Sequence, residues 1–463
     1  MQYISTRGEA PELGFEGVLL TGLARDGGLY VPKTWPQLSN GEFRALRGKP
    51  YAEVAFAICR KFTQGSVPEE NLKAMIHDAY STFAHPAVTP LKQLDSNHWL
   101  LELFHGPTLA FKDVAMQLLV RLMDWSLARQ SRRFVVVGAT SGDTGGAAIE
   151  AFQHSTQTSL FILHPHGLVS EVQRRQMTTV KGPGIHNIAV QGNFDDCQAI
   201  VKALFNDLNF RDKVNLASVN SINWARIMAQ IVYYVYSAVA LGAPDRKVSF
   251  SVPTGNFGDI FAGLVAKRMG VPIHRLVIAT NVNDILDRAL KTSRYEIHGV
   301  QPSISPSMDI QISSNFERLL YLAYGNNAAV VRSLMAGLAQ SGSFTIAPGE
   351  LAAIRQEFDS FTVDEAETAN TIARTLSATG ELLDPHTAVG FAAALRAGPT
   401  ESPMVTLATA HPAKFPDAVR NATGVTPHLP QRLIHLLKAE ERFTILPNSA
   451  AAVRDFILGR NKA

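Results

Sequence analysis

Residues 134–152 have the sequence FVVVGATSGDTGGAAIEAF, and this stretch decides the fold class. Phe134–Val137 is a short, fully apolar run, which predicts a buried β-strand. A loop of small and hydroxyl-bearing residues follows, and we interpret Ala147–Phe152 as the helix after it. A strand, a loop and a helix in this order indicate one unit of an α/β fold.

The same order recurs along the chain from Trp99 onward. The further predicted strands are Leu160–Leu163, Ile188–Val190, Lys247–Val252, Arg275–Ala279 and Met404–Ala408, and the predicted helices between them include 170–179, 195–205 and 260–269. This alternation predicts a mostly parallel sheet covered by helices. Because ligands bind at the carboxyl ends of the strands in such folds, the loops at 138–146, 253–259 and 408–414 form the candidate site.

The beginning of the chain has a different pattern. Apolar residues recur at helical spacing in Tyr51–Phe62 and Glu69–Phe83, and prolines separate these segments. We therefore predict a mainly helical N-terminal extension over residues 1–95 and a second region over residues 96–463. Within the second region, a smaller subdomain is expected around residues 131–215.

The composition excludes several classes of protein. Of the 463 residues, 46% are hydrophobic and 18% are charged, which is typical of a folded rather than a disordered chain. The net charge is +3 and the basic residues form no long cluster, so neither nucleic acid nor a membrane is expected as a partner. The apolar run Ile227–Ala243 contains three tyrosines, Gln230 and Ser237, which favours a buried helix over a membrane span.

The cysteines and histidines predict neither a disulfide framework nor a metal site. Cys59 and Cys197 lie far apart, and the spacing of the histidines fits no metal motif. The N-terminal sequence MQYISTRGEAPELG lacks the basic and then apolar order of a signal peptide. We therefore expect a reduced, cytoplasmic setting and no metal.

Two glycine-rich loops are candidate anion sites. Thr254–Asp259 follows a predicted strand and opens a helix, so its N–H groups could hold a phosphate, although an ordinary strand–helix turn has the same composition. The other loop offers the hydroxyls of Thr140, Ser141 and Thr144 at a helix start. These hydroxyls could hold a small carboxylate or cap the helix, and the residues alone leave both alternatives open.

Two further segments place a basic residue at a helix start. In HGPTLAFKDVAMQLL, Lys112 lies where the helix dipole disfavours an ammonium ion, so it is either a reactive amine or a surface lysine. In NSINWAR, the side chains of Asn220, Ser221 and Arg226 suit a phosphate dianion. A capped helix with a surface arginine is the alternative interpretation of this segment.

Together these loops form a pattern: a lysine, then a hydroxyl-rich loop, then a phosphate loop. Their order resembles the fold type II pyridoxal 5′-phosphate enzymes, whose fold is α/β and tryptophan synthase β-like. Longer strings resemble the threonine synthase family, in its longer subfamily with an N-terminal extension; they are YISTRG at 3–8, GLARDGGLYVP at 22–32, FHGPTLAFKD at 104–113, SGDTGGAA at 141–148, PTGNFGD at 253–259, LDPHTAVG at 383–390 and ATAHPAKFP at 408–416. The resemblance therefore covers residues 3–416 and implies that residues 96–463 form the catalytic region.

The resemblance also implies roles for single residues. Lys112 would be the catalytic, Schiff-base lysine, and Thr409 would face the pyridine nitrogen of the cofactor. The cofactor phosphate would be held by Gly255, Asn256, Phe257, Gly258 and Asp259, and Asp143 would lie near the 3′-oxygen. The substrate carboxylate would meet Thr140, Ser141 and Thr144, and the substrate phosphate would meet Asn220, Ser221 and Arg226.

The implied activity is that of a carbon–oxygen lyase acting on phosphates. It converts O-phospho-L-homoserine and water to L-threonine and phosphate by γ-elimination and β-addition of water, the last step of threonine biosynthesis. A monomer or weak homodimer is expected. The alternatives are a related phospholyase that makes 2-oxobutyrate, a serine or threonine dehydratase and, outside enzymes, a glycine-rich nucleotide-binding regulator or a scaffold.

Overall fold

The computed structural model describes residues 1–140, 142–217, 219–398 and 401–460. The elements of the N-terminal part, in chain order, are β1 Gln2–Ser5, β2 Leu13–Gly14, α1 Phe15–Leu20, β3 Tyr30–Pro32, α2 Asn40–Ala45, α3 Tyr51–Thr63, α4 Glu69–Tyr80 and β4 Leu91–Gln93. The strands β2, β1 and β3 pair in this order as a small antiparallel sheet.

The middle of the chain alternates strands and helices. Its elements are β5 His98–Glu102, α5 Lys112–Arg129, β6 Phe134–Ala139, α6 Asp143–Phe152, β7 Thr158–Pro165, α7 Glu171–Thr178, β8 Ile185–Gln191, α8 Phe194–Asn206, α9 Leu208–Val214, β9 Leu216–Ala217, α10 Trp224–Ala240, β10 Val248–Pro253, α11 Gly258–Arg268 and β11 Ile273–Thr280.

The last part of the chain contributes further strands to the sheets that the middle begins. Its elements are α12 Ile285–Thr292, β12 Arg294–Glu296, α13 Phe316–Ala323, α14 Ala328–Ser341, β13 Ser343–Thr345, α15 Pro348–Glu357, β14 Phe358–Thr362, α16 Glu365–Thr379, α17 Pro385–Arg396, β15 Met404–Ala408, α18 Pro416–Thr423, β16 Thr444–Pro447 and α19 Ala450–Arg460. Short 3₁₀ helices lie at Pro306–Met308, Pro412–Lys414 and Gln431–Leu437.

Two larger sheets form the framework of the fold. One has the strand order β14-β11-β10-β15-β5-β4, parallel except for the β4–β5 pair. The other has the order β16-β8-β7-β6-β9 and is parallel throughout. The predicted α/β class with parallel sheets covered by helices is confirmed.

Element boundaries differ from the sequence-based expectation where glycine or a short strand hides the signal. The helix expected from Ala147 begins earlier, at Asp143. Gly145 and Gly146 lie in its first turns, and their low helix propensity hides this start in the sequence. A Cβ atom on Gly145 would lie 2.4 Å from Cγ2 of Thr140. The strands β1–β3 were not predicted, since two to four residues are too few to show a period.

The predicted buried helix is α10, and only Tyr236 and Ala240 along it escape full burial. No helix in the described part of the chain is long and apolar enough to cross a membrane. Trp224, the first residue of α10, is fully buried. Its ring centroid lies 5.9 Å from that of Tyr3 and 5.8 Å from that of Phe62. Aromatic packing thus fixes the start of α10 against the N-terminal extension.

Replacing Trp224 with alanine tests this packing. We expect Trp224→Ala to lower the free energy of unfolding by about 3–5 kcal/mol, because a large cavity would form between α10 and the N-terminal extension. Urea denaturation followed by circular dichroism measures the loss. Leu395→Ala is the control, since this side chain is 49% exposed, and it should cost less than about 0.5 kcal/mol. Equal losses of unfolding free energy in the two variants would contradict the role of Trp224 in this packing.

Candidate active site

One large cavity, about 2640 Å³ in volume, lies where the loops after β6, β10 and β15 meet. The predicted site residues that line it are Lys112, Thr140, Asp143, Thr144, Asn220, Ser221, Arg226, Gly255, Asn256, Phe257, Gly258, Asp259 and Thr409. Ser141, the remaining predicted site residue, lies outside the described residues. The loops that follow separate strands therefore converge on one cavity.

Lys112 is buried at the first position of α5. Its Nζ donates to Oδ2 of Asp143 and to Oγ of Ser307, at 3.2 Å in each case. Burial lowers the pKa of Lys112 below its ordinary value, while Asp143 opposes this and the charges of Lys414 and Arg226 add to it. The side chain is therefore not a surface lysine, and the prediction that it is the reactive amine stands.

The segment before Lys112 is fixed by the loop after β15. Phe111 N–H donates to the carbonyl of Thr409 at 2.8 Å, and His411 N–H donates to the carbonyl of Leu109 at 3.0 Å. Asp113 closes the segment, because its carboxylate accepts from the N–H and the hydroxyl of Thr108. Burial raises the pKa of Asp113 to about 6. These contacts hold Lys112 and Thr409 at the same end of the cavity.

Asp143, the first residue of α6, lies between two lysines. Its Oδ2 accepts from Lys112 and, at 3.0 Å, from Ser307, whereas its Oδ1 accepts from Gln173 at 2.9 Å and lies 3.1 Å from Nζ of Lys414. Burial alone would raise the pKa of Asp143, but the charges of Lys112 and Lys414 hold it well below its usual range. The carboxylate is therefore a counter-ion for both Lys112 and Lys414.

Ser307 is held in place by a buried histidine. Its N–H donates to Nε2 of His386 at 3.1 Å, so Nδ1 of the ring carries the proton and donates to Asp384 at 2.9 Å. The loop around Ser307 is tied down further by Asp309, whose Oδ1 accepts from Asn281 at 2.7 Å. His386 is thus a neutral support for the loop that faces Lys112.

The predicted phosphate loop is shaped by a left-handed residue and by close backbone approach. Phe257 has φ +60° and directly precedes α11, so the N–H groups at this helix start have no partner within the helix. The carbonyls of the loop point away and are occupied, since Ser313 Oγ donates to Gly255 O at 2.7 Å and Asn315 N–H donates to Asn256 O at 3.0 Å. A Cβ atom on Gly255 would lie only 3.1 Å from a backbone oxygen.

Asp259 belongs to this loop but its carboxylate is engaged elsewhere. The hydroxyls of Tyr233 and Tyr234 both donate to its Oδ1, the latter at 3.0 Å. Its Oδ2 is buried and has no partner in the described part of the chain. Burial raises the pKa of Asp259 to about 6.

Arg226 is a buried guanidinium without an acidic partner among the described residues. It lies in the first turn of α10, where its Nη1 donates to the carbonyl of Val219 at 3.2 Å and its Nε has no hydrogen-bond partner. Burial lowers the pKa of Arg226 to about 10. A buried cation left unpaired is costly, so the site favours an anionic ligand at this position.

The segment before Arg226 is held by residues from distant parts of the chain. Asn223 caps α10, accepting from Ala225 N–H at 2.9 Å, and its amide donates to Leu19 O at 2.9 Å. The guanidinium of Arg318 donates to the carbonyl of Ile222 at 2.7 Å. Asn220 and Ser221 therefore face the cavity on a fixed segment.

The hydroxyl-rich loop combines a cap with cavity-facing groups. Thr140 Oγ1 accepts from the N–H groups of Gly142 and Gly145, at 3.0 and 2.9 Å. The capping interpretation of Thr140 is thus confirmed, although the residue also lines the cavity together with Thr144. Thr409, on the loop after β15, is fixed through its N–H, which donates to Thr387 Oγ1 at 3.2 Å.

These groups fit pyridoxal phosphate. The cofactor requires an amine for its aldehyde, a cradle of N–H groups for its phosphate and a hydrogen-bonding group for its ring nitrogen. Lys112, the start of α11 and Thr409 supply these in one cavity. No group of three or more metal-ligating side chains is placed to hold a metal within the described residues.

Four residues of the site were not predicted from the sequence: Gln173, Ser307, His386 and Lys414. Ser307 lies in a segment without hydrophobic periodicity, and Gln173 lies in a helix whose sequence contains no functional motif. Lys414 ends a loop that was predicted to face the site, yet a buried lysine and a surface lysine look alike in a single sequence. Only the folded chain brings these four side chains to Asp143 or its neighbours.

Comparison with known proteins agrees with the geometry. Three family models match the chain: "Threonine synthase N terminus" at residues 2–80, "Pyridoxal-phosphate dependent enzyme" at residues 83–333 and "Threonine synthase, C-terminal" at residues 387–457. Together they span the N-terminal extension, the loops around the cavity and the C-terminal part.

Similar proteins cover the chain from end to end. The threonine synthase of Pseudomonas aeruginosa is 54% identical, over 99% of this chain and 98% of that protein. The crystal structure of threonine synthase from Brucella melitensis with PLP bound is 58% identical, with a TM-score of 0.98 and complete coverage of both chains. The yeast threonine synthase structure is 40% identical, with a TM-score of 0.94, over 99% of this chain and 98% of that chain. This chain therefore belongs to the threonine synthase family.

Proposed function

We propose that this chain converts O-phospho-L-homoserine and water to L-threonine and phosphate with pyridoxal phosphate as its cofactor, the last step of threonine biosynthesis. The observation that carries the proposal is the presence of two separate anion sites beside one buried amine. The start of α11 suits the phosphate of the cofactor, and Arg226 suits a second phosphate on the substrate. Lys112 lines the same cavity.

The cofactor and the residues that would hold it have separate chemical roles. Pyridoxal phosphate supplies, when bound, an electron sink for negative charge that develops on the amino-acid carbons. Lys112 would hold it through its amine, and the N–H groups of Gly255–Asp259 would hold its phosphate. Thr409 would meet its ring nitrogen with a neutral hydroxyl, and Asp143 would lie beside its 3′-oxygen.

Lys112 moves the protons of the reaction. The lowered pKa of its amine, caused mainly by burial, leaves a fraction of the side chain neutral and able to accept a proton from Cα of the substrate. The ammonium formed gives this proton back to the bound molecule, so that the same nitrogen can then take the second proton, from Cβ, and return it where the product requires it. Asp143 stabilises the ammonium form between these steps, because its Oδ2 is 3.2 Å from Nζ.

The substrate is oriented at both ends. Thr140, Ser141 and Thr144 would hold its carboxylate, with the capping of α6 by Thr140 fixing that loop. Asn220, Ser221 and Arg226 would hold its phosphate, first as part of the substrate and then as the leaving group. A hydroxy-amino-acid dehydratase has no phosphate for Arg226, which is why we favour the phosphate-bearing substrate.

The setting of the protein is also a proposal. We infer a cytoplasmic enzyme that works as a monomer or weak homodimer. The two cysteines, Cys59 and Cys197, are free and buried, which supports a reducing compartment.

The reaction is tested by measuring both products. Purified protein with pyridoxal phosphate should release threonine and phosphate in equal amounts from O-phospho-L-homoserine, and Lys112→Ala should abolish both. Amino-acid chromatography and a phosphate assay measure the products. Phosphate accompanied by 2-oxobutyrate would identify the related phospholyase instead, and threonine formation by Lys112→Ala would contradict the role of this lysine.

The phosphate site is tested at Arg226. We expect Arg226→Met to lower kcat/KM for O-phospho-L-homoserine about 100-fold, equivalent to about 2.7 kcal/mol, because the charged hydrogen bonds to phosphate are lost. Arg226→Lys, which keeps the charge, should lose about tenfold.

Binding of the product L-threonine is the control for this prediction. Threonine carries no phosphate, so its affinity, measured from the absorption of the bound cofactor, should change less than about threefold in Arg226→Met. A loss of threonine affinity as large as the loss of kcat/KM would mean that Arg226 only supports the structure.

A further inference from the structure

Lys414 is a second buried lysine behind the active site. It lies in the 3₁₀ turn after β15, its side chain is fully buried, and it does not line the cavity. An ammonium group has three protons, and burying it is costly unless each meets an acceptor. The Nζ atom donates to Thr108 O at 2.7 Å and to Gln176 Oε1 at 2.9 Å, and it lies 3.1 Å from Asp143 Oδ1. The ammonium group therefore has two hydrogen-bond acceptors and one ionic partner, Asp143.

Lys414 and Lys112 divide one carboxylate between them. Oδ1 of Asp143 faces Lys414 and Gln173, and Oδ2 faces Lys112 and Ser307. Two cations thus share a single counter-ion. The contact with Lys414 keeps Oδ1 on the far side, so that only Oδ2 of Asp143 meets Lys112, and the charge of Lys414 itself disfavours the ammonium form of Lys112.

The other charged or titratable groups near Lys112, Asp143 and Lys414 do not balance the excess of positive charge. Arg226 adds a further cation towards Lys112, and His386 faces Asp143 as a neutral ring. Asp113 is the other carboxylate near Lys414, but both of its oxygens accept from Thr108. The cluster therefore carries more positive than negative charge.

A purely structural role does not require this charge. Lys414 links the loop before α5, through Thr108, to α7, through Gln176, and a neutral amide donor could make the same two links. The contact with Asp143 is the one for which the charge matters. Gln173 offers a built-in comparison, because it binds the same oxygen of Asp143 without a charge.

We propose that Lys414 is a positioning residue of the active site that acts through Asp143. It holds Oδ1 of Asp143, so that Lys112 meets only Oδ2 of a shared counter-ion. Lys112 therefore gives up its proton more readily than it would beside an unshared carboxylate. The inference rests on the proposed role of Lys112 as the residue that binds the cofactor and moves protons.

The test measures the amine of Lys112 without measuring catalysis. Full-length protein is freed of pyridoxal phosphate, and the rate at which it binds the cofactor again is followed by absorption from about pH 6 to 10. The free amine is the form that attacks the aldehyde, so the half-maximal pH of this rate follows the proton on Lys112.

We expect Lys414→Met to move the half-maximal pH upward by about one unit or more, because Asp143 would then stabilise the ammonium form of Lys112 alone. At neutral pH this corresponds to a roughly tenfold slower rate. The matched control is Gln173→Leu, which removes a neutral donor from the same oxygen and should shift the midpoint by less than about half a unit. Lys414→Arg keeps the charge and should remain near the wild type. Equal shifts in Lys414→Met and Gln173→Leu would overturn the proposal.

A double variant tests whether Lys414 acts through Asp143. In the Asp143→Asn background, Lys414→Met should shift the midpoint by less than half as much as it does alone. If Lys414→Met fails to fold, the double variant is compared with Asp143→Asn, because it removes both members of the Lys414–Asp143 pair together; a shift above about half a unit between these two variants would then overturn the proposal. Failure of the wild type to bind pyridoxal phosphate would instead refute the proposed function, so the two failures are distinguishable.

Discussion

The buried carboxylate of Asp143 joins the two larger sheets at the active site. Asp143 starts α6 after β6 of the five-stranded sheet, whereas Lys112 and Lys414 follow β5 and β15 of the six-stranded sheet. The contacts of 3.2 and 3.1 Å from this carboxylate to the two lysines therefore cross from one sheet to the other. None of these charges would be tolerated in the interior without the others. The convergence of separate loops on one cavity depends on this cluster of opposite charges.

The N-terminal extension also helps to hold the residues of the cavity in place. Arg318 is completely buried and donates to the carbonyl of Tyr30, in the extension, and to that of Ile222, in the segment that carries Ser221. Asn315, from the same helix region, donates to the carbonyl of Asn256 in the predicted phosphate loop. The two candidate phosphate sites are thus held by neighbouring side chains, and the extension fixes one of those side chains. Residues far from the candidate site therefore help to fix the geometry of the cavity.

The sequence predicts the parts of the fold whose signal is local. The strand β6 appears as an apolar run, and β6, β10 and β15 each precede a loop of small residues. The rule that ligands bind at the carboxyl ends of strands then brings the candidate residues together. The strand β16 was not predicted, because it has only four residues and its partner strand β8 lies more than two hundred residues earlier in the chain. Lys414 and Ser307 were missed for a related reason, since their importance lies in contacts with Asp143 across the chain. The sequence also leaves Thr140 ambiguous, and the folded chain shows that capping and a position on the cavity are compatible.

The balance of charge in the cavity argues for the class of substrate. Asp143 is the counter-ion of both Lys112 and Lys414, and Arg226 has no acidic partner among the described residues, so the site is completed by anions that the ligands bring. The cofactor phosphate would occupy the start of α11, but Arg226 lies on a different helix, and burial lowers its pKa to about 10. A substrate with a neutral leaving group would leave this cost in place throughout the reaction. We infer that a phosphate ester would remove this cost on binding and that the same guanidinium would then stabilise the charge on the departing phosphate, so that one interaction would serve both binding and bond cleavage.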